Sequence, residues 1–450
     1  ELAIHNLGIR RRTLIDRESI DGALTTGDVE FDYAWSAALN TLCASTDEAY
    51  TDCPWRERGS YIGDSVVTAK LHRLMSTDLS VARRTFRNFG LAALPDGQLA
   101  CCAPSWLRKP HEDFTYLWIL GIHELWSFFG NREVVDENWL VLLKIWDAPW
   151  YIHESGLWNA DGRRLFLDWG ISTAERQGEA NTAINLLRVA ALAASADLAR
   201  DVGDLKREAS FRKEADTVEM AVMKWLWDDT EGRFRASLSH CGAALHANIL
   251  AFRFGIGDAA RLVEYLEPML RDNLRRGLEH GQWSGHVELY FLSFLLPALG
   301  EVGEVELAEQ LIEDHYGFLR SLGCNTLAEC FCQATQSRDS LCHTWSAAGA
   351  IYAHRYVLGL RQVKAGDPDN WLLEPRVTGR FKAVSGSLPH SRGTIRVAWR
   401  RIGGKFSAEI SAPPQVTVHL GKGVLAGNAA KGSDSDYSLS GSVSPSTHVD

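Results

Sequence analysis

The sequence predicts a mainly helical protein, a closed toroid of helix pairs followed by a small antiparallel β domain. Three observations carry that prediction. Apolar residues recur at helical spacing from about Asp32 to Leu360, the loops between them are short and punctuated by turn residues, and after Pro375 the spacing changes to strict alternation. A length of 450 residues suits one large domain plus a smaller one, and 46% hydrophobic with 23% charged residues is the composition of a globular chain.

The helical elements show their faces. In EVELAEQLIEDHYGFLRSLG, Leu307, Leu311 and Ile312 mark one side, Leu319 extends it, and Gly323 supplies the stop. In EANTAINLLRVAALAASADLARDVGD a broad apolar stripe runs through Leu187, Ala190, Ala191, Ala194 and Leu198 and closes at Gly203. Trp118 and Trp126 sit on a helix of their own and are expected in the core. LPDGQ, NADGR and DDTEGR, from Leu94, Asn159 and Asp228 onward, are the connecting turns. About a dozen helices joined as consecutive hairpins, with no strand period between them, favour a ring of pairs over a parallel sheet, although no crisp repeat marks the units. Beyond Pro375, Ile395, Val397 and Trp399, then Phe406, Ala408 and Ile410, then Val416, Val418 and Leu420 each take one face of a strand. The boundaries expected are an N-terminal segment at 1–30, the barrel at 31–368, the β domain at 369–430 and a Ser- and Gly-rich mobile tail at 431–450.

Composition excludes several classes. The net charge of −10 argues against a nucleic-acid partner, which needs clustered Lys and Arg to displace counterions. Arg10 to Arg12 and Arg400 to Arg401 are too short to be more than solvated faces. No run of about 18 apolar residues predicts a transmembrane helix. The chain starts at Glu1 without a signal-like apolar core, from which a processed or truncated N-terminus is expected while the compartment stays open. The nine cysteines are an odd number, so at least one thiol is expected outside any intramolecular pair. The cluster Cys324, Cys330, Cys332 and Cys342 lacks the C-x2-C knuckle of a zinc site. Neither a G-x-G-x-x-G turn after a strand nor an EF-hand loop is present, so no cofactor and no metal are expected. Nothing bears on oligomeric state.

Chemistry concentrates in YTDCPWRERGSYIGD, Tyr50 to Asp64. Pro54 and the glycines make it a loop, so its charges do not serve helix pairing. Carboxylates accept hydrogen bonds from vicinal hydroxyls, aromatic faces cover the C–H surface of a sugar ring, and one carboxyl can donate a proton. A sugar pocket and a charged surface loop both satisfy this composition.

The stretch resembles the signature of the family 78 glycoside hydrolases, the inverting α-L-rhamnosidases, written D-C-P-x-R-E-R-x-x-[WY]-x-G-D. The likeness continues in order through LPDGQLACCAPS, EDFTYLWILGIHELWSFFGN, FLDWG, NTLAE and CHTWSAAGAIYAHRYVLGL, covering roughly residues 15 to 420. It implies an (α/α)6 barrel, a six-hairpin toroid, followed by a β-sandwich, and a small glycoside or oligosaccharide as substrate. It places the proton donor on Glu57 and the water-activating base on Glu329. It places Asp52 and Asp64 on the sugar hydroxyls, with Arg56, Arg58 and Tyr61 in the same loop. Asp168 and Trp169 of FLDWG resemble a pocket-lining segment, though a helix-start aspartate beside a core tryptophan reads equally from the residues. Asp113 is either a sugar contact or a helix cap. His343 and Trp345 resemble a segment facing the active site. Inversion requires an acid and a base on opposite faces of the ring, roughly 6.5–9.5 Å apart. Only a closed architecture brings Glu57 and Glu329 together.

Two departures stand out. Ala328 occupies the position before the implied base where the family commonly has an aromatic residue, and Tyr61 replaces a commoner Trp. The upstream β domains usual in the family are missing from this sequence. Two other readings remain open: a rhamnose–uronate lyase using Tyr61, His343 and Arg58, and a non-catalytic sugar-binding relative.

Overall fold

A computed structural model of the chain describes Ile15 and residues 20–421, apart from 107, 149–151, 160–164, 243, 282, 332–339 and 404. Arg10 to Arg12, Cys332 and the expected tail at 431–450 lie outside the described residues.

The helices alternate between two concentric layers. In chain order they are α1 (Val29–Ala44), α2 (Ile62–Met75), α3 (Ser80–Leu91), α4 (Glu112–Phe129), α5 (Arg132–Asp147), the single turn α6 (Thr173–Arg176), α7 (Thr182–Val202), α8 (Leu205–Leu226), α9 (Leu245–Phe254), α10 (Ala259–Arg271), α11 (Asn273–His280), α12 (Leu292–Val302), α13 (Val305–Ser321) and α14 (Ala348–Tyr352). A π-helical turn, Ala353–Leu358, continues α14. The inner ring is α2, α4, α7, α9, α12 and α14; each packs on the next, and α14 returns to α2. Outside it, α13 packs against α1 and closes the second layer. This is the (α/α)6 toroid.

Local chemistry starts and stops these helices. The Asp28 carboxylate accepts from the Glu30 and Phe31 N–H groups at the head of α1, and Asn181 and Asp204 do the same for α7 and α8. Gly203 ends α7 in the left-handed region at φ 84°, which glycine adopts without steric penalty. On α13 the expected face is the buried one: Leu307, Leu311, Ile312 and Leu319 are all in the core. α7 differs from its expected stripe, because an inner-ring helix is enclosed on nearly all sides; Asn185, Arg188 and Ser195 are buried with the apolar residues. It is apolar and long enough to cross a membrane by composition alone, yet 83% of its most apolar window is buried inside the protein.

The strands are β1 (Ala23–Thr25), β2 (Trp227–Asp228), β3 (Arg233–Phe234), β4 (Leu360–Gln362), β5 (Asn370–Leu373), β6 (Ala383–His390), β7 (Gly393–Ile402), β8 (Lys405–Ser411) and β9 (Thr417–Leu420). Beyond the barrel they form two sheets, β1-β6-β7-β8 and β4-β5-β9. The alternation of the sequence sets the register, with Val397 opposite Ile410 and Trp399 opposite Ala408 on the buried face. One expectation needs correction: β9 runs parallel to β5, so the domain is mixed rather than wholly antiparallel. The chain reaches β9 by a long excursion through β6, β7 and β8, and such a connection permits parallel pairing where a hairpin cannot. The N-terminal β1 joins this domain by pairing with β6. Trp399 donates its indole N–H to the carbonyls of Val357 and Leu358 and so anchors the sheet under the π-turn.

Candidate active site

At the N-terminal ends of the inner helices lies a cavity of about 210 Å³. The signature loop, running into α2, contributes Asp52, Arg56, Glu57, Tyr61 and Asp64; the opposite wall has Trp169, Glu329, His343 and Trp345. Nine of the twelve residues singled out in the sequence thus face one space. Cys101, His111, Phe114 and Phe166 complete the lining and were not anticipated, although each stands in or beside a segment that was. His111 and Phe166 pack around Phe114, and Phe166 stacks on Trp345 with ring centroids 5.9 Å apart.

The loop is held by its own backbone and by its neighbour. Asp52 N–H donates to Gly59 O and the Asp52 carboxylate takes back the Gly59 N–H at 2.8 Å, closing the turn that carries Arg56 and Glu57. Ser60 O accepts from Ala103 N, and Ile62 N donates to Cys101 O, which stitches the loop to the segment after α3. Trp55 and Trp106, on these two stitched segments, are about nine-tenths exposed.

Glu329 is the most heavily engaged carboxylate lining the cavity, among the described residues. Its side chain is 4% accessible. Oε2 accepts from Arg56 Nη2 at 2.8 Å and from Ser340 N–H at 3.2 Å, while Oε1 accepts the Trp169 indole N–H at 3.2 Å. Its backbone carbonyl takes the Trp345 indole N–H. Ala328 is fully buried, and its carbonyl accepts from Ser346. The same Arg56 Nη2 lies 3.5 Å from Glu57 Oε1, so one nitrogen touches both glutamates; Glu57 remains 44% accessible. Burial opposes charge on Arg56, but Glu329 and Glu57 outweigh it and raise the guanidinium further. Burial and the nearby Glu57 push the Tyr61 phenol well above its ordinary value.

Asp52 and Asp64 are both buried at the cavity floor. Burial, then the charge of Asp64, raises Asp52 to about 6 against the pull of His343. Asp64 accepts from His343 Nε2 at 2.8 Å. Burial works against the imidazolium, and the hydrogen bond to Asp64 holds it above the usual histidine value. Asp52, Cys53 and His343 bring an oxygen, a sulfur and a nitrogen within 4.8 Å of one another. Their atoms fit a metal poorly: Asp52 Oδ2 already takes the Cys53 thiol, Oδ1 takes Gly59 N–H, and three ligands fall short of a closed zinc shell.

Three singled-out residues stand away from the cavity. Arg58 points outward into an ion pair with Asp47. Asp113, at the head of α4, accepts the backbone N–H groups of Phe166 and Leu167, each at 3.1 Å. Leu167 has φ 53°, a conformation costing about 1–2 kcal/mol for a residue with a Cβ, and these two bonds offset it. Asp168 lies behind the wall, accepting from Trp169 N and Glu288 N and meeting His246 Nε2, each at 2.9 Å. Burial alone would lower His246, but Glu175 and Asp168 outweigh it and raise it to about 9.

A two-layered helical ring with an acid-lined pocket at one mouth defines a six-hairpin glycosidase domain. Residues 20–357 match the bacterial alpha-L-rhamnosidase 6 hairpin glycosidase domain, and residues 359–433 match the bacterial alpha-L-rhamnosidase C-terminal domain. The chain belongs to the bacterial alpha-L-rhamnosidase family. Solved structures repeat the fold. A rhamnosidase of Bacillus sp. GL1 aligns over 91% of this chain and 43% of its own, at TM-score 0.79 and 21% identity. The Streptomyces avermitilis alpha-L-rhamnosidase complexed with L-rhamnose aligns over 89% and 38%, at 0.73 and 17%. The Klebsiella oxytoca rhamnosidase with rhamnose bound aligns over 75% and 66%, at 0.61 and 19%. This chain thus spans less than half the length of the Bacillus and Streptomyces relatives. No curated protein matches it closely enough to add to these likenesses.

Proposed function

We propose that the chain is an inverting exo-glycosidase that removes terminal α-L-rhamnosyl or similar deoxy-sugar residues, with Glu57 as general acid and Glu329 as general base. The observation that carries this reading is the meeting of both glutamates on Arg56 at the wall of a cavity sized for a single sugar. Family membership and the rhamnose bound in two relatives of the same fold support the sugar.

The chemistry follows from the hydrogen bonds. A carboxylate has about four lone-pair sites, and three on Glu329 are taken, one of them on Oε1. The site left on Oε1 receives a proton from water as the water attacks the anomeric carbon. Glu57 gives its proton to the departing glycosidic oxygen, and its greater exposure suits contact with the aglycone side. Contact with one nitrogen holds the facing oxygens closer than the roughly 6.5–9.5 Å that inversion requires. Sugar entry exchanges the Arg56–Glu57 contact for a ring hydroxyl and lets the pair spread. Asp52 and Asp64 accept hydrogen bonds from ring hydroxyls at the floor, and Trp169 and Trp345 supply apolar faces.

The test is hydrolysis of p-nitrophenyl α-L-rhamnoside and of an alkyl α-L-rhamnoside. Glu329→Gln should lower kcat on both by about 10²–10⁴-fold. Glu57→Gln should do so on the alkyl glycoside and less on the nitrophenyl one, whose leaving group needs little protonation. Proton NMR should show β-L-rhamnose as the first product. An α first product would sink inversion, and near wild-type rates in both variants would sink the assignment.

A further inference from the structure

The far end of the barrel has a charge distribution that the proposed reaction does not use. Asp64 heads α2 at the cavity, while Lys70 and Arg73 follow six and nine residues later, about 9 and 13 Å down the helix axis. Glu124 of α4, Arg253 of α9 and Arg355 of the π-turn lie close enough to act on the Lys70 charge, and Glu301 of α12 close enough to act on Arg253. This cluster reaches solvent at its edge, since Glu124 and Arg355 keep 24% and 40% of their side-chain surface.

Its cations outnumber its carboxylates. Glu124 is paired with Arg73 Nη1 at 2.5 Å. Glu301 is already shared among Arg355 at 2.8 Å, Arg361 at 3.4 Å and Arg376 at 3.6 Å, and also accepts the Tyr356 hydroxyl. The amine of Lys70 faces the Phe294 ring at 5.9 Å, and neither it nor Arg253 has a hydrogen bond or ion pair among the described residues. The Nε–H groups of Arg73 and Arg355 are buried with no acceptor. Burial, which Glu124 only partly offsets, brings Lys70 down to about 8, and burial together with Arg355 lowers Arg253. A fold that holds unpaired, partly buried cations beside unfilled N–H donors carries the complement of an anion.

We propose that this cluster binds a small oxyanion of the phosphate type. Lys70, Arg73, Arg253, Arg355, Arg361 and Arg376 against Glu124, Glu301 and Glu374 leave a formal excess of three positive charges, most of which a dianion neutralises. Guanidinium forks match the paired oxygens of such an ion, and Lys70 adds a point charge from the barrel wall. Bound there, the ion ties α2, α9 and the π-turn together and stabilises the folded chain by mass action.

The experiment is thermal unfolding of the full chain in sodium phosphate, in sodium sulfate and in sodium chloride at matched ionic strength, with calorimetric titration of phosphate. Phosphate should raise Tm saturably, and chloride should not; a sulfate response equal to that of phosphate identifies a general oxyanion site within the proposal. Lys70→Met should be at least as stable as wild type without phosphate, since it removes a desolvated charge, yet bind phosphate at least tenfold more weakly. A merely structural Lys70 would give the reverse, a lower Tm with an unchanged phosphate response. Arg253→Gln supplies a second variant with the same expected loss of binding. Equal Tm shifts in phosphate and chloride, or tenfold weakening in neither variant, would overturn the proposal.

Discussion

At the residue scale the pocket gathers carboxyls under unequal conditions. Asp52 titrates near 6 because burial and Asp64 both disfavour its charge. Its folded value lies above the unfolded one, so the group contributes stability fully below about pH 4 and loses it as pH rises through about 6. Asp52→Asn should therefore stabilise the chain at pH 7 by about 1–2 kcal/mol, less than the roughly 3 kcal/mol of an unrelaxed two-unit shift. Chemical denaturation across pH 4 to 7 checks this, and a variant weaker than wild type at pH 7 would contradict it. At this scale much was readable in the sequence, because the signature loop and the NTLAE and CHTWS segments resemble the family's own in residue type and order, whereas composition alone fitted a charged surface loop as well. What was not readable was contact through space. Phe166 and His111 meet Phe114 only because Asp113 turns the 166–169 segment through a left-handed residue, and no local spacing encodes that turn.

At the scale of elements, helix spacing identified outer helices such as α13 by a true two-sided pattern, whereas α7 is enclosed and its stripe understated its burial. The three residues of β1 carry no alternation, and the partner that makes them a strand is β6, most of the chain away. The parallel pairing of β9 was hidden for the same reason: alternation gives faces and is silent on direction. Packing between layers is tight enough to test. A Cβ on Gly121 of α4 would stand 2.2 Å from a ring carbon of Phe86 on α3. Gly121→Ala should cost about 1–3 kcal/mol by overpacking despite the better helix propensity of alanine. Urea unfolding reads the loss, and a stabilised variant would show that α3 can move away freely.

At the scale of the whole molecule, barrel and β domain are bound at both ends of the chain. β1 leads from sheet to α1, Arg380 ties the β-domain side to Asp28 at the α1 cap, and Trp399 anchors the sheet beneath the inner ring. Calorimetry of the full chain should give one cooperative unfolding transition; two resolved transitions would mean that the domains melt independently. A ring of pairs was expected from a dozen helices without strands, while the charge cluster at its far end was not, since no local spacing brings Lys70, Arg253 and Arg355 together. The closure of α14 onto α2 also sets a schedule. During translation at roughly 5–20 residues per second, the ribosome needs on the order of 15 to 50 s to travel from Glu57 to Glu329. Throughout that interval the nascent chain holds half of a pocket, with the flank of α2 that α14 covers awaiting a neighbour not yet synthesised. The pocket is completed by its last hairpin, so a message truncated there yields a protein that carries Glu57 with no Glu329 to face it.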